Sequence, residues 1–275
     1  MDGLFASKWQ AMLDAWPYSE QALFTFGSIA ILEICFVFWN LLYYAVSRLG
    51  LFTKYRIQPA AAKPSPELVR EALTDHVVGA LVIRPPLIWL MYPMFVRCGM
   101  HTDAASLPSA STVLLQLCLT IVLDDTWFYW SHRMLHTPWL YKHVHKQHHR
   151  FRATTGLASE FAHPVEDLVS NTASTVVGPL LLGCHMSVLW LYAYIKLSQT
   201  IEAHSGYVVP FPLSPWSIAW PVDMLDNGRH EFHHSHNKGN YGGYFNWWDR
   251  LMGTDAAYVE WRSNGSPPLK WTKQA

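Results

Sequence analysis

Eight histidines of this chain fall into three short clusters, one HxxxH pair and two copies of an HxxHH pattern. The clusters are His132 and His136; His145, His148 and His149; and His230, His233 and His234. A single His204 lies between the second and third clusters. Near physiological pH each neutral imidazole offers one lone pair to a metal ion. Eight or nine such ligands are more than one ion can use, so the pattern predicts two metal ions side by side.

The spacing explains how the rings of one cluster can converge. Residues i and i+4, or i and i+3, share one face of a helix, so an HxxxH pair can aim both rings at one point. An HxxHH pattern aims its first residue and at least one of its last two in the same direction, and the neighbour can turn towards a second metal. All-nitrogen ligation suits zinc, copper, iron or nickel, and of these zinc has no redox chemistry.

Acidic residues near the clusters are candidates for a supporting role. Metal-bound imidazoles usually donate their second N–H to a carboxylate or a carbonyl. Asp125 and Glu166 are the acids we expect to do this, and the alternative for each is a solvated or helix-capping acid. His163 lies near Glu166, so it is either a further ligand or support, or an ordinary structural residue. The other histidines are expected to be structural; they are His76, His101, His143, His185 and His236.

Composition indicates a membrane protein. Hydrophobic residues make up 51% of the chain, 14 residues are tryptophan, and only 15% are charged, whereas soluble domains carry about 25% charged residues. The net charge is zero and no long basic run occurs, which argues against a nucleic-acid partner. The four cysteines form no CxxC pair and lie in or near apolar stretches, so we expect small buried hydrophobes rather than disulfides.

Four apolar stretches predict about four transmembrane helices, some kinked or paired as a hairpin. They are residues 22–46, 76–96, 111–130 and 168–200. The second is broken by Arg84-Pro85-Pro86, and the third is expected to run on through His136. The fourth has Gly178-Pro179 and Gly183 in its middle, which predicts a helical hairpin or a bent pair of spans. Residues 48–75 are expected to form a basic loop, and residues 208–221 an irregular aromatic segment. The predicted fold is therefore all-α and membrane-integral.

The basic residues predict the orientation of these helices. The loop at 48–75 and the stretch after residue 131 are both rich in Lys and Arg, which favours the cytosolic side for both. Two crossings separate them, and a hairpin at 168–200 would return the chain to the same side. All three histidine clusters are therefore expected to meet in a helical cap on the cytosolic face.

Several sequence motifs of this chain resemble motifs of the fatty acid hydroxylase and sterol desaturase superfamily. They are DDTWFYWSHRMLHTPWLYKHVHKQHH, FAHPVE, EAHSGY, RHEFHHSH, NYG and WDRLMGTD. The chain looks most like the methylsterol monooxygenases, since GLFTKYRIQ at 50–58 and MYPMFVRCGM at 91–100 are also similar. The resemblance covers about residues 50–256. It implies domains at 1–110 (membrane anchor), 111–256 (catalytic) and 257–275 (tail).

The resemblance implies a membrane-bound di-iron monooxygenase that oxidises the carbon-4 methyl group of sterol precursors. It implies two non-haem iron ions on the three clusters and His204, dioxygen as co-substrate, and electrons from NAD(P)H through cytochrome b5 and its reductase. A multi-pass protein of the endoplasmic reticulum with a sterol or other lipid substrate is expected. The alternatives are a sterol carbon-5 desaturase, a fatty acid or sphingolipid hydroxylase, an aldehyde-forming lipid enzyme, or a non-enzymatic membrane metal-binding protein.

Overall fold

The structure is a computed structural model that describes residues 3–58, 63–208 and 227–265. Within these ranges the regular secondary structure is helical, apart from one isolated antiparallel bridge between Arg56 and Tyr207. The main helices are α1 (Gly3–Ala15), α2 (Glu20–Arg48), α3 (Pro66–Val78), α4 (Arg84–Arg97), α5 (Ala110–Leu135), α6 (Ala173–Leu181), α7 (Met186–Ala203), α8 (Asn227–His236), α9 (Trp247–Met252) and α10 (Ala256–Ser263). The predicted irregular segment lies outside the described residues after Val208. The all-α prediction is confirmed.

Serine residues begin the three longest helical segments. The hydroxyl oxygens of Ser19, Ser65 and Ser109 each accept a hydrogen bond from a backbone N–H three residues on, which satisfies a donor that the helix itself cannot. Pro66 follows Ser65 at the first helical position, where a missing N–H costs nothing. The predicted loop over 48–75 is therefore wrong from Pro66 onward, because this cap outweighs the local prolines.

The helix α3 continues into α4 through a π-helical turn at Gly79–Ile83. Pro85 and Pro86 supply no backbone N–H, and their rings crowd the preceding turn. One wider turn absorbs both effects without ending the helix. Residues Pro66–Arg97 therefore form one helical segment of 32 residues rather than a broken one.

Three helical segments in the described part of the chain are long and apolar enough to cross a bilayer. They are Glu20–Arg48, Pro66–Arg97 and Ala110–Leu135. Large apolar side chains on them face outward, with Ile34, Leu41 and Leu81 each more than 60% exposed, as expected of surfaces in contact with lipid. About four such helices were predicted, and the described residues contain three. Residues 168–200 form the helical hairpin that was predicted there, made of α6 and α7.

Two glycines allow close helix contacts. A Cβ on Gly27 of α2 would lie 2.3 Å from the Trp190 ring of α7, and a Cβ on Gly178 of α6 would lie 2.8 Å from the Thr120 Cα of α5. The hairpin therefore packs directly on the helix that carries His132. Of the cysteines, Cys35 and Cys184 are buried as predicted, but Cys98 and Cys118 are exposed.

The two ends of the helix bundle differ. At one end α1, which the sequence analysis did not predict, packs through Trp9 against Trp190, and the Trp9 indole donates to the Thr102 carbonyl at 2.8 Å. The histidine clusters lie at the other end. The helices α5 and α7 both finish there, at His136 and His204, so the bundle brings distant parts of the sequence together.

We expect Gly178→Ala to destabilise the detergent-solubilised protein by about 1–3 kcal/mol, because the new methyl group would lie 2.8 Å from the Thr120 Cα, a backbone atom, as well as against the Thr120 side chain. Thermal unfolding followed by circular dichroism measures this. The control is Gly79→Ala, whose Cβ would have only the tip of Arg84 at 4.0 Å. Equal melting temperatures for the two variants would contradict the packing described.

Candidate metal centre

The nine histidines of the three clusters and His204 gather into two groups. The ligand atoms within each group all lie within 4.8 Å of one another. The first group is His132, His136, His145, His149 and His233, and the second is His148, His204, His230 and His234. Seven of the nine residues are buried, and His136 and His230 are partly buried. The structure therefore holds two clusters of nitrogen atoms, each able to bind a metal ion.

Each HxxHH pattern is divided between the two groups. The outer pair, His145 and His149, belongs to the first group, while His148 belongs to the second. The other copy is divided the opposite way, with His230 and His234 in the second group and His233 in the first. The rings of His149 and His234 are 4.8 Å apart, so the two groups are direct neighbours. The doublet of adjacent histidines serves to span two metal positions.

The local backbone of the second cluster differs from the regular helix that the spacing suggested. His145 ends a π-helical turn at Tyr141–His145, and the 3-10 turn His148–Arg150 follows it closely. His132 and His136 do lie on or at the end of α5, and the third cluster lies on α8. Tight turns still place residues four apart on one side, so the rings converge without a regular helix.

The Nε2 atoms of each group face one another at short distances. In the first group, His145 Nε2 lies 3.0 Å from the Nε2 atoms of both His136 and His149. In the second, His230 Nε2 lies 2.8 Å from His204 Nε2 and 3.1 Å from His234 Nε2. Such separations suit nitrogen ligands that share one ion, since Zn–N bonds, for example, measure about 2.0–2.1 Å.

Backbone carbonyls fix the protonation of five rings. Each carbonyl oxygen lies within hydrogen-bond distance of an Nδ1 atom. The pairs are His132 with Tyr241 at 2.9 Å, His148 with Phe161 at 3.2 Å, His204 with Thr200 at 2.7 Å, His233 with Gly239 at 2.6 Å and His234 with Phe151 at 3.1 Å. Because a carbonyl only accepts, Nδ1 carries the proton and Nε2 presents a bare lone pair. Facing lone pairs repel unless a cation lies between them, so the donor set fits metal ions.

Burial keeps these rings neutral. Loss of hydration lowers the pKa of His148 to about 4 and that of His204 to about 3. Burial also lowers the pKa of His149 and His234, and the neighbouring histidines lower it further. The rings therefore keep their Nε2 lone pairs at neutral pH, as metal ligands must.

The two acids proposed from the sequence occupy different places. Glu166 Oε1 lies 2.8 Å from His145 Nδ1, and burial together with the charge of Asp167 raises the pKa of Glu166. Asp125 lies further out, where its carboxylate accepts hydrogen bonds from the backbone N–H groups of Tyr244 (2.7 Å) and Phe245 (3.0 Å). Glu166 therefore contacts a histidine directly, whereas Asp125 anchors a loop.

The other six histidines lie outside both groups. His163 Nδ1 accepts from the Val165 N–H at 3.2 Å and begins a short helical turn. His76 stacks on Phe36 at a ring distance of 3.6 Å, with its Nε2 2.8 Å from Glu33. Both residues have structural contacts, which is the ordinary alternative that the sequence left open for His163.

Three further buried ionisable residues make hydrogen bonds around the site, and none is one of the two acids that the sequence analysis singled out. Asp249 accepts from the Tyr241 N–H at 2.9 Å, and so holds the residue whose carbonyl orients His132. Glu231 accepts from Gln58 Nε2 at 2.9 Å and ties the third cluster to the segment before α3. Lys196 Nζ donates to Asp124 at 2.6 Å. An ionisable residue in an apolar helix such as α7 was the available signal for Lys196.

A cavity connects the histidines with the helix bundle. Its walls carry apolar side chains from α2, α4 and α7, among them Leu32, Ile88 and Leu189. Five histidines of both groups line it as well, namely His132, His145, His148, His204 and His230. An apolar molecule in this cavity would therefore lie against both candidate metal positions.

Comparison with known proteins identifies the family. The fatty acid hydroxylase model matches residues 117–254. Methylsterol monooxygenase 2-1 of Arabidopsis thaliana is 34% identical over 271 residues, which cover 94% of the chain and 97% of the relative. Methylsterol monooxygenase 1 of Rattus norvegicus is 33% identical over 92% of the chain and 84% of the relative. Very-long-chain aldehyde decarbonylase GL1-11 of Oryza sativa subsp. japonica is 37% identical over 92% of each chain.

No solved structure matches the chain. The family model spans all three histidine clusters, and the similarity to the whole-length relatives extends across the membrane helices as well. These matches confirm the resemblance to the fatty acid hydroxylase and sterol desaturase superfamily that the histidine motifs suggested. The chain belongs to the fatty acid hydroxylase family and is an oxidoreductase.

Proposed function

We propose that this protein is a membrane-bound di-iron monooxygenase that oxidises the carbon-4 methyl group of sterol precursors. The observation that carries the proposal is the pair of adjacent all-nitrogen groups at the end of an apolar cavity. The methylsterol monooxygenases, similar over nearly the whole chain, support the choice of substrate.

Nine histidines would hold the iron, five in the first group and four in the second. Two bound ferrous ions supply the activation of dioxygen that an inert methyl C–H bond requires. In the first oxidation the methyl group, dioxygen, two electrons and two protons give the alcohol and one water. Two further oxidations would give the aldehyde and then the carboxylate.

The protein's own contribution is to orient ligands and exclude water. Carbonyls such as those of Tyr241 and Thr200 hold rings in the tautomer that offers Nε2, and Glu166 does the same for His145. The apolar cavity binds a flat hydrocarbon skeleton and keeps bulk water from the reacting carbon. Lipid-facing helices around it give such a substrate a route from the bilayer.

We further propose a location in the endoplasmic reticulum membrane with the histidine end facing the cytosol. Basic residues flank that end, among them Arg48 at the end of α2, Lys142 just before the second cluster and Lys146 between its histidines. Electrons would come from NAD(P)H through cytochrome b5 and its reductase, which act from the cytosolic side. Asp125 would support the site through the loop that it anchors.

The strongest alternative is a long-chain aldehyde enzyme, because the rice aldehyde decarbonylases are 37–38% identical to the chain. A sterol carbon-5 desaturase, another lipid hydroxylase and a metal-binding membrane protein without enzymatic activity remain as further alternatives. A transporter would place its ligands at the bilayer midplane, whereas these histidines lie at the ends of α5 and α7. That position favours an enzyme.

Substrate assays separate the two main possibilities. We expect membranes containing the full chain, with reductant and dioxygen, to convert a 4-methylsterol to its 4-hydroxymethyl and 4-carboxy products, detected by mass spectrometry. Very-long-chain aldehydes, supplied in parallel to the same membranes, should remain unchanged. Alkane formation from the aldehyde without sterol oxidation would reverse the assignment.

The metal count tests the ligand set. Anaerobically purified protein should contain two irons per chain, and His148→Ala or His233→Ala should lose iron and abolish turnover while membrane insertion is kept. His101→Ala is the matched control, because that side chain is 65% exposed and lies outside both groups. Full turnover in either cluster variant would show that its ring is no essential ligand.

The hydrogen bond that His132 Nδ1 donates to the Tyr241 carbonyl gives a further prediction. Asp249→Ala frees the Tyr241 backbone and should weaken iron retention about 10- to 100-fold, the usual effect of removing an outer partner. Competition with a chelator, followed by iron release, measures it. Asp103→Ala, at an exposed cap far from the site, should release iron at the wild-type rate; the same rate in Asp249→Ala would refute the supporting role.

A further inference from the structure

One part of the cavity wall is polar, in contrast to the apolar side chains of α2, α4 and α7 that also line it. It is formed by Glu166 and the π-helical turn Asp167–Thr172, and we call Glu166, Asp167 and Asn171 the polar wall. All three residues line the cavity. A polar wall in a cavity for hydrocarbon indicates that the bound molecule carries a polar group on that side.

Glu166 is the residue of the polar wall that can still accept a hydrogen bond. Its residue is only 3% exposed, and its Oε2 atom has no hydrogen-bond partner among the described residues. The other oxygen, Oε1, lies 2.8 Å from His145 Nδ1. A buried oxygen without a donor has lost its hydration without compensation, and a donor on a bound ligand would remove that cost.

Neighbouring groups do not supply this donor. Two cations line the cavity: Arg84 is engaged by Glu33 at 2.8 Å and by Glu160, and Lys196 donates to Asp124 at 2.6 Å. Asn171 Nδ2 donates to Asp167 Oδ1 at 3.4 Å. These neighbours are therefore engaged elsewhere, while Glu166, which lines the cavity, keeps an Oε2 atom without a donor among the described residues.

The position of Glu166 defines which substrate group it can reach. Glu166 touches the ring of His145, whose Nε2 atom faces the other ligands of the first group. A donor bound to Oε2 therefore lies one imidazole ring away from the candidate metal position. The reacting carbon must be closer to the metal, so the donor and that carbon must be close neighbours in the substrate.

We propose that Glu166 Oε2 accepts a hydrogen bond from a substrate hydroxyl on the carbon next to the one that bears the oxidised methyl group. This inference rests on the proposed function, because in a 4-methylsterol the hydroxyl on carbon 3 has this relation to the carbon-4 methyl. An unbranched long-chain aldehyde carries no such hydroxyl. Glu166 thus serves two purposes, with one oxygen for His145 and the other for the substrate.

Glu166→Gln tests this by replacing an acceptor with a donor while keeping an oxygen for His145. Wild-type protein should prefer the 3-hydroxy form of a 4-methylsterol over its 3-ketone about 10- to 100-fold in kcat/KM, because a ketone cannot donate. The variant should reduce this preference at least about tenfold. The ratio of dissociation constants for the two sterols on metal-free protein should shift in the same direction.

Glu67→Gln, an exposed change in the first turn of α3, is the control and should keep the wild-type preference. Equal losses for both sterols in Glu166→Gln would assign Glu166 a structural role alone and overturn the inference. So would a wild-type protein that uses both sterols equally, although the proposed function would then stand. No turnover of either sterol by wild-type protein would reject both.

Discussion

The facing lone pairs of buried imidazoles are the constraint on which the rest of this structure depends. Nε2 atoms approach to 3.0 Å in the first group and to 2.8 Å in the second, and burial lowers the pKa values that would otherwise allow protons to relieve the repulsion. Backbone carbonyls prevent the rings from presenting Nδ1 instead. Cations between the nitrogen atoms turn this repulsion into attraction, so metal binding and the order of this end of the molecule are expected to be coupled.

The helix bundle meets this constraint by returning the chain repeatedly to one end. The helix α5 delivers the first cluster, and the hairpin of α6 and α7 leaves and returns to deliver His204. The close contact of Gly178 with Thr120 locks the hairpin onto α5. The same helices enclose the cavity, so one architecture both gathers the ligands and leads an apolar substrate to them.

The parts of the fold and of the site that depend on neighbouring residues in the sequence could be predicted. The grouping of His132 with His136 follows from helix periodicity, and the three spans follow from their apolar length. The start of α3 was missed because prolines around Ser65 resemble a loop, although Ser65 and Pro66 are also a helix-start signal. The contacts of Asp125 and Asp249 and the free oxygen of Glu166 depend on tertiary packing. Asp125, for example, binds a loop about 120 residues away, which no local pattern reveals.

X-ray absorption at the iron edge of the anaerobically purified full chain tests the central claim most directly. The account predicts a first shell of nitrogen and oxygen atoms with the outer-shell scattering of several imidazole rings per iron, and two irons per chain. A first shell containing sulfur, a spectrum without imidazole scattering, or a single iron per chain would contradict it.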